Sequence, residues 1–203
     1  MVKRITELKR KTKEVEIDLK LNIDGEGKTH IDTGIGLLDH MLELFTFHGL
    51  FDLDLKAKTP KKIDLHHTNE DIGIVLGEAF KKGLKNKKGI NRFGFFSVPM
   101  EDNLATVILD ICGRGYFKLK IEGLDPYSLK DQEGYSLKEM EHLLDAFAKN
   151  LGMNLYVKIE TSLNKDIHSI MEPVFKALGI ALKQATSKDP RRKNIPSTKG
   201  IID

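Results

Sequence analysis

Two adjacent histidines followed by a glutamate, His66, His67 and Glu70 in "DLHHTNED" (64–71), are the residues of this sequence most suited to holding metal. On a helix, His66 and Glu70 stand four apart and His67 and Glu70 three apart, so each pair can share a face. Adjacent side chains diverge by about 100°, so the two histidines suit two different ions better than one chelate. Imidazole with carboxylate favours borderline, often six-coordinate divalent ions such as manganese, iron or zinc over a thiolate zinc site. Such a run supplies half of a centre, and an internal duplication supplies the rest. "DHMLELF" around His40 matches "EHLLDAF" around His142. His66 follows His40 by 26 residues, and His168 follows His142 by 26. "HHTNE" then aligns with "HSIME", pairing Glu70 with Glu172 and His67 with Ser169 at one offset of 102. Five of the seven histidines fall on this frame.

The elements that must position these residues follow the same duplicated order. "VEIDLKLNIDGEGKTHID" alternates as a strand, turns at Asp24-Gly25 and begins a second strand. "GLLDHMLELFTFHG" has helical spacing and stops at Gly49, and "LFDLDLKAK" reads as a strand. From Asp64 the pattern is helical through "HHTNEDIGIVLGEAFKKGL", with a lysine- and glycine-rich boundary near 86–91. The second half repeats strands ("ATVILDICGRGYFKLKIEG"), helix ("KEMEHLLDAFAKNLG"), strand ("MNLYVKIETS") and helix ("DIHSIMEPVFKALGIALKQA"). A loosely ordered basic tail is expected after it. The "GIG" of 34–36 is a helix entry rather than a nucleotide loop.

Composition narrows the function classes. The 203 residues suffice for one compact unit or two small similar halves. Lys+Arg 33 against Asp+Glu 30 leaves a formal charge of +3, with no strong field calling for nucleic acid or a membrane. The single Cys112 excludes an intramolecular disulfide and any CxxC zinc site. No apolar run reaches membrane-spanning length, and the charged start lacks a signal-peptide core. A cytoplasmic protein with neither nucleic-acid nor membrane partners is expected.

The stretches "RKTKEVEI", "DTGIGLLDHML", "HGLFDLDL", "HHTNEDIGIVLG", "RFGFFSVPMEDNLATVILDICGR", "EMEHLLDAF", "HSIMEPVFKAL" and "IPSTKG" resemble the imidazoleglycerol-phosphate dehydratase family across nearly the whole chain. The resemblance implies an α+β fold, internally duplicated, each half a four-stranded sheet with two helices packed on one face. The halves are placed at 1–88 and 89–188, with 189–203 a basic tail completing a phosphate site. It implies a homo-oligomer, a hollow shell of roughly 24 identical subunits, with two manganese ions per site lying between subunits. The strand-like "DLDLK" argues against the phosphatase fused to some members.

For chemistry, the resemblance implies loss of water from imidazole glycerol phosphate to give imidazole acetol phosphate in histidine synthesis. The ring serves as electron sink, and the metals act as Lewis acids and templates without a redox step. Metal ligands are His40, His66, His67, Glu70, His142, His168 and Glu172. The catalytic set is Glu14, Glu172 and His67. Substrate contacts are Glu14 and His48, with a phosphate cradle of Arg92, Arg114, Lys176, Ser197 and Lys199.

The chain also departs from the family. Ser169 stands where a histidine ligand is expected, and Pro173 occupies a helix interior where alanine is usual. Proline there removes a donor to, and crowds, the Ser169 carbonyl four residues earlier. Gly115 replaces a usual proline, and Leu44 a frequent glutamine near the phosphate. The expectation is an active lyase with one weakly held ion. A catalytically weak paralogue, whose metal mainly supports assembly, is the alternative.

Overall fold

A computed structural model describes residues 4–59, 65–123, 125, 129–132, 134–162 and 166–202. The first sheet contains β1 (Ile5–Lys11), β2 (Glu16–Asn22), β3 (Thr29–Asp32) and β4 (Asp52–Lys58) in the order β1-β2-β4-β3. The second contains β5 (Phe93–Met100), β6 (Asn103–Asp110), β7 (Tyr116–Glu122) and β8 (Asn154–Glu160) in the matching order β5-β6-β8-β7. In each, three strands are antiparallel and one edge strand is parallel to its neighbour. That parallel pair needs a crossover, which α1 (Gly36–Gly49) and α3 (Leu137–Leu151) provide. Each half ends in a long helix, α2 (Leu65–Leu84) or α4 (Ile167–Thr186). The expected helix start at Asp64 lies outside the described residues. Among those described, no helix is long and apolar enough to cross a membrane.

Alternation explains why the helices cover one face only. β2 buries Ile17, Leu19 and Leu21 while Glu16, Asp18 and Lys20 stay exposed, the period-2 pattern of a half-covered sheet. α1 and α2 line the inner face of the first sheet, α3 and α4 that of the second. The helices then meet across the halves, α2 on α3 and α1 on α4. Each half's second helix thus packs on the other half's first. Gly77 and Gly179, 102 residues apart, make both approaches possible. A Cβ at Gly77 would lie 2.7 Å from the Phe147 carbonyl oxygen, and one at Gly179 2.3 Å from that of Phe45. Phe45, Phe80 and Phe147 meet edge-to-face where the pairs adjoin, with centroids 5.8–6.2 Å apart, in one continuous apolar core.

Three local features differ from the sequence expectation. Edge strands β1 and β5 are two elements that the sequence expectation does not single out. The β5–β6 hairpin follows the β1–β2 hairpin by 88 residues, whereas β8 follows β4 by 102. The second half therefore has a longer connection between β7 and α3. The tail is tied down rather than loose. Gly89 N donates to Asn194 O, Asp189 N to Gly89 O, and buried Lys87 Nζ to Ile202 O at 3.3 Å.

Candidate metal centre

The swapped helix packing brings the two histidine frames together in a specific way. His40 of α1 meets His168 and Glu172 of α4, and His142 of α3 meets His66 of α2, so each cluster draws on both halves. In the first cluster, His168 Nε2 lies 3.1 Å and His40 Nε2 3.8 Å from Glu172 Oε2. The His40 and His168 rings are 5.0 Å apart. In the second, His66 Nδ1 and His142 Nδ1 converge to 2.7 Å. Glu70 Oε2 lies 3.9 Å from His66 Nε2, and Glu139 is the carboxylate grouped with this histidine pair.

Helix spacing accounts for the first arrangement. His168 and Glu172 are one turn apart, so they share a face, and the N-cap Asp166 fixes that turn by accepting from His168 N and Ser169 N. Burial pushes the Glu172 carboxyl up, but the Lys176 ammonium 2.5 Å away, aided by His168, outweighs it and holds Glu172 below the usual carboxylate range. His48, at the end of α1, is held below the ordinary histidine value by burial first and by the Lys176 charge second. Those effects place His48 in the electrostatic field of the first cluster.

The second cluster rests on a buried network that sequence reasoning missed. Tyr135 Oη donates to Asn69 Oδ1 at 2.8 Å, and Asn69 Nδ2 donates to the Glu139 carbonyl at 2.7 Å. Both side chains are fully buried, and a satisfied buried network fixes geometry more firmly than separate surface contacts. Asn69 stands three residues after His66, on its face of α2, a usable sequence signal. Tyr135 lies in the longer β7–α3 connection, and the residue at the same repeat offset in the first half is Thr33. Glu139 has a competing structural role at the start of α3: its carboxylate accepts from the Ser136 hydroxyl, and its N–H donates to that N-cap hydroxyl.

The remaining expected site residues are dispersed. His67 is exposed, with its ring 5.5 Å from that of His66, and belongs to neither three-residue cluster among the described residues. Glu14 is exposed in the β1–β2 turn, where its N–H donates to Thr12 Oγ1. Ser169 Oγ donates to Asp166 Oδ2 at 2.9 Å, an N-terminal helix contact. Arg92 pairs with Asp110 through Nε (2.6 Å) and Nη2 (2.9 Å), and donates from Nη1 to Pro196 O beside Ser197. Lys199 N donates to Ser197 Oγ, while Arg114 is exposed in the β6–β7 turn. Lys176 is set apart from this group. Arg92 N donates to Ala185 O, nine residues and about 14 Å further along α4, and Lys176 Nζ turns the other way, toward Glu172. Gly115 is accounted for by close packing, since a Cβ would lie 2.2 Å from Lys149 Cα. Nothing in the structure explains Leu44.

The donor set fits divalent metal. Each cluster presents two imidazoles and a carboxylate with ligand atoms within 4.8 Å of one another, the oxygen–nitrogen mixture that manganese, iron and zinc accept. A family-wide sequence model described as imidazoleglycerol-phosphate dehydratase matches residues 33–182. A protein of that name from Methanocella arvoryzae is 48% identical over 193 residues, covering 95% of this chain and 96% of the relative. One from Thermoanaerobacter sp. is 47% identical, covering 98% and 100%. Among solved structures, the enzyme from Pyrococcus furiosus aligns with a TM-score of 0.78 at 32% identity, covering 96% of this chain and 99% of that one. The Staphylococcus aureus enzyme aligns with a TM-score of 0.76 at 30% identity, covering 91% and 99%.

Proposed function

The chain belongs to the imidazoleglycerol-phosphate dehydratase family of hydro-lyases, acting in histidine biosynthesis, and from that premise we propose a metal-dependent dehydration. It converts imidazole glycerol phosphate to imidazole acetol phosphate with two divalent ions, manganese above all. The observation that carries this reading is the convergence of histidines from opposite halves, His40 with His168 and Glu172, and His66 with His142. When bound, the ions would supply Lewis acidity to the substrate's imidazole ring, which could then serve as electron sink for loss of the neighbouring hydroxyl.

The chain's own residues supply position and proton transfer. His40, His168 and Glu172 hold one ion, and His66 and His142 the other, with Glu70 one helical turn from His66. Glu172, held ionised beside Lys176, is the proton acceptor within reach of the first cluster. Exposed Glu14, His67 and Glu70 face outward, where a neighbouring copy can complete a site between subunits. His48 contacts substrate at the first cluster. Arg92 and Arg114, with Ser197 and Lys199 of the tail, form one part of the phosphate cradle, and Lys176 forms another. Their separation within one chain favours a cradle assembled from two copies.

The chain is read as assembling into a shell of roughly 24 subunits, and the outer face of the second sheet supports contact between copies. The outer face of the first sheet carries a charged ladder of Glu7, Lys20 and Asp54. The second carries Phe95, Ile108 and Tyr156 in register across three strands, 57%, 46% and 37% exposed, the kind of apolar patch that marks an interface. The reading is of a cytoplasmic enzyme.

A second reading, a weak paralogue whose metal mainly supports assembly, draws on the Ser169 hydroxyl being engaged by Asp166. Chelator-treated protein assayed for loss of imidazole glycerol phosphate, with and without added Mn2+, separates the two. Turnover restored by Mn2+ supports the enzyme; reassembly under saturating Mn2+ without turnover supports the paralogue.

A further inference from the structure

Pro173 lies inside α4 and carries no N–H to give the Ser169 carbonyl, its partner four residues earlier. In an undisturbed helix that bond closes the turn from Ser169 to residue 173, which carries Glu172 and directly follows His168. Asn103, at the start of β6, reaches this carbonyl from another layer of the fold. Its Nδ2 donates to Ser169 O at 3.2 Å, and the residue is 1% exposed. Its Oδ1 is buried and has no hydrogen-bond partner among the described residues. A buried amide that leaves its oxygen unsatisfied is unfavourable unless its donor does something an apolar side chain cannot. The alternative amide orientation would set Oδ1 against the carbonyl oxygen, two acceptors facing each other, so this hydrogen bond fixes the assignment.

We propose that Asn103 is a positioning residue for the first cluster: its amide replaces the backbone donor lost at Pro173 and ties the His168–Glu172 turn to β6. The second sheet thereby sets the placement of two ligands that belong to helix α4. Asn103 pairs with Met100 of β5, and the next residue, Leu104, pairs with Glu160 of β8, so the anchor sits where β6 enters the sheet. The remaining capping bonds of this turn run to Asp166, which is exposed, so among the described residues the Asn103 contact is its buried hydrogen-bonded tie to the sheet. The inference rests on the metal reading for its functional meaning, but its structural part is independent of metal.

The test is a double-mutant cycle of Asn103→Leu and Pro173→Ala on the full chain, with Asn103→Ala as a second variant that removes the amide without adding bulk. Amide exchange of residues 170–172 is read on metal-free protein, and Mn2+ affinity by titration under electron paramagnetic resonance. Asn103→Leu should accelerate exchange in that turn while leaving α2 unchanged, and weaken one class of Mn2+ site by about tenfold or more, as lost ligand support does. Adding Pro173→Ala, which returns the backbone donor, should restore both. Unchanged exchange in both Asn103 variants, or a double variant as labile as the single one, overturns the proposal. Wild-type protein that binds no Mn2+ refutes the metal reading, and the exchange cycle then decides the positioning role by itself.

Discussion

Lys176 acts on two groups at once: it draws the Glu172 proton off and opposes a proton on His48. Lys176→Met removes the repulsion but leaves the burial of His48, so the His48 pKa should rise toward the ordinary histidine value. Histidine NMR titration of metal-free protein measures this; an unchanged or lower value would show that the lysine field does not reach the ring. Ser169 gives a second prediction. Its hydroxyl is a weak ligand and is engaged at the helix start, so Ser169→His with Pro173→Ala should raise Mn2+ occupancy of the weaker position. Metal analysis at limiting Mn2+ checks it, and equal occupancy before and after contradicts it. The histidine frame was legible because two repeats printed the same spacing. Asn69 offered a positional hint, whereas Tyr135 and Asn103 offered none, since a supporting hydrogen bond between remote segments leaves no periodic mark on either.

At the scale of elements, the helices and inner strands were legible because each buries one face and shows it as alternation or helical spacing. β1 and β5 were not picked out. Both are edge strands, β1 reads "ITELKRK" with charges on most positions, and β5 contains Pro99, which an edge tolerates because one side needs no donor. The swapped packing of α1 on α4 and α2 on α3 was also illegible beyond the pairing of repeats, because the repeat predicts which helices match and not which ones touch. Gly77 and Gly179 test it. Alanine stabilises an exposed helix interior by about 1 kcal/mol over glycine, but here a Cβ meets a facing carbonyl. Both Gly→Ala variants should therefore lose stability, by about 1–3 kcal/mol as overpacked sites do, with Gly179 the more sensitive. Urea denaturation of metal-free protein measures this, and stabilisation by either alanine would contradict the close approach.

In the whole molecule, two sheets enclose helices that exchange partners, so the halves share one core and each candidate metal cluster spans them. The sequence contained the duplication and the ligand types, but the division of ligands between clusters came only from the helix crossing. Metal bound by the assembled form alone adds its binding energy to association. Chelator treatment should accordingly yield small oligomers, and Mn2+ should restore the large one; sizing that shows an unchanged particle after verified metal removal contradicts this.

The most direct test of the cross-half centre is a metal count per chain at saturating Mn2+, after removal of free ion, for wild type, His40→Ala and His142→Ala. Two ions in the wild type and close to one in each variant is the predicted result. A wild type without bound ions, or one variant that loses both while the other keeps both, would contradict it.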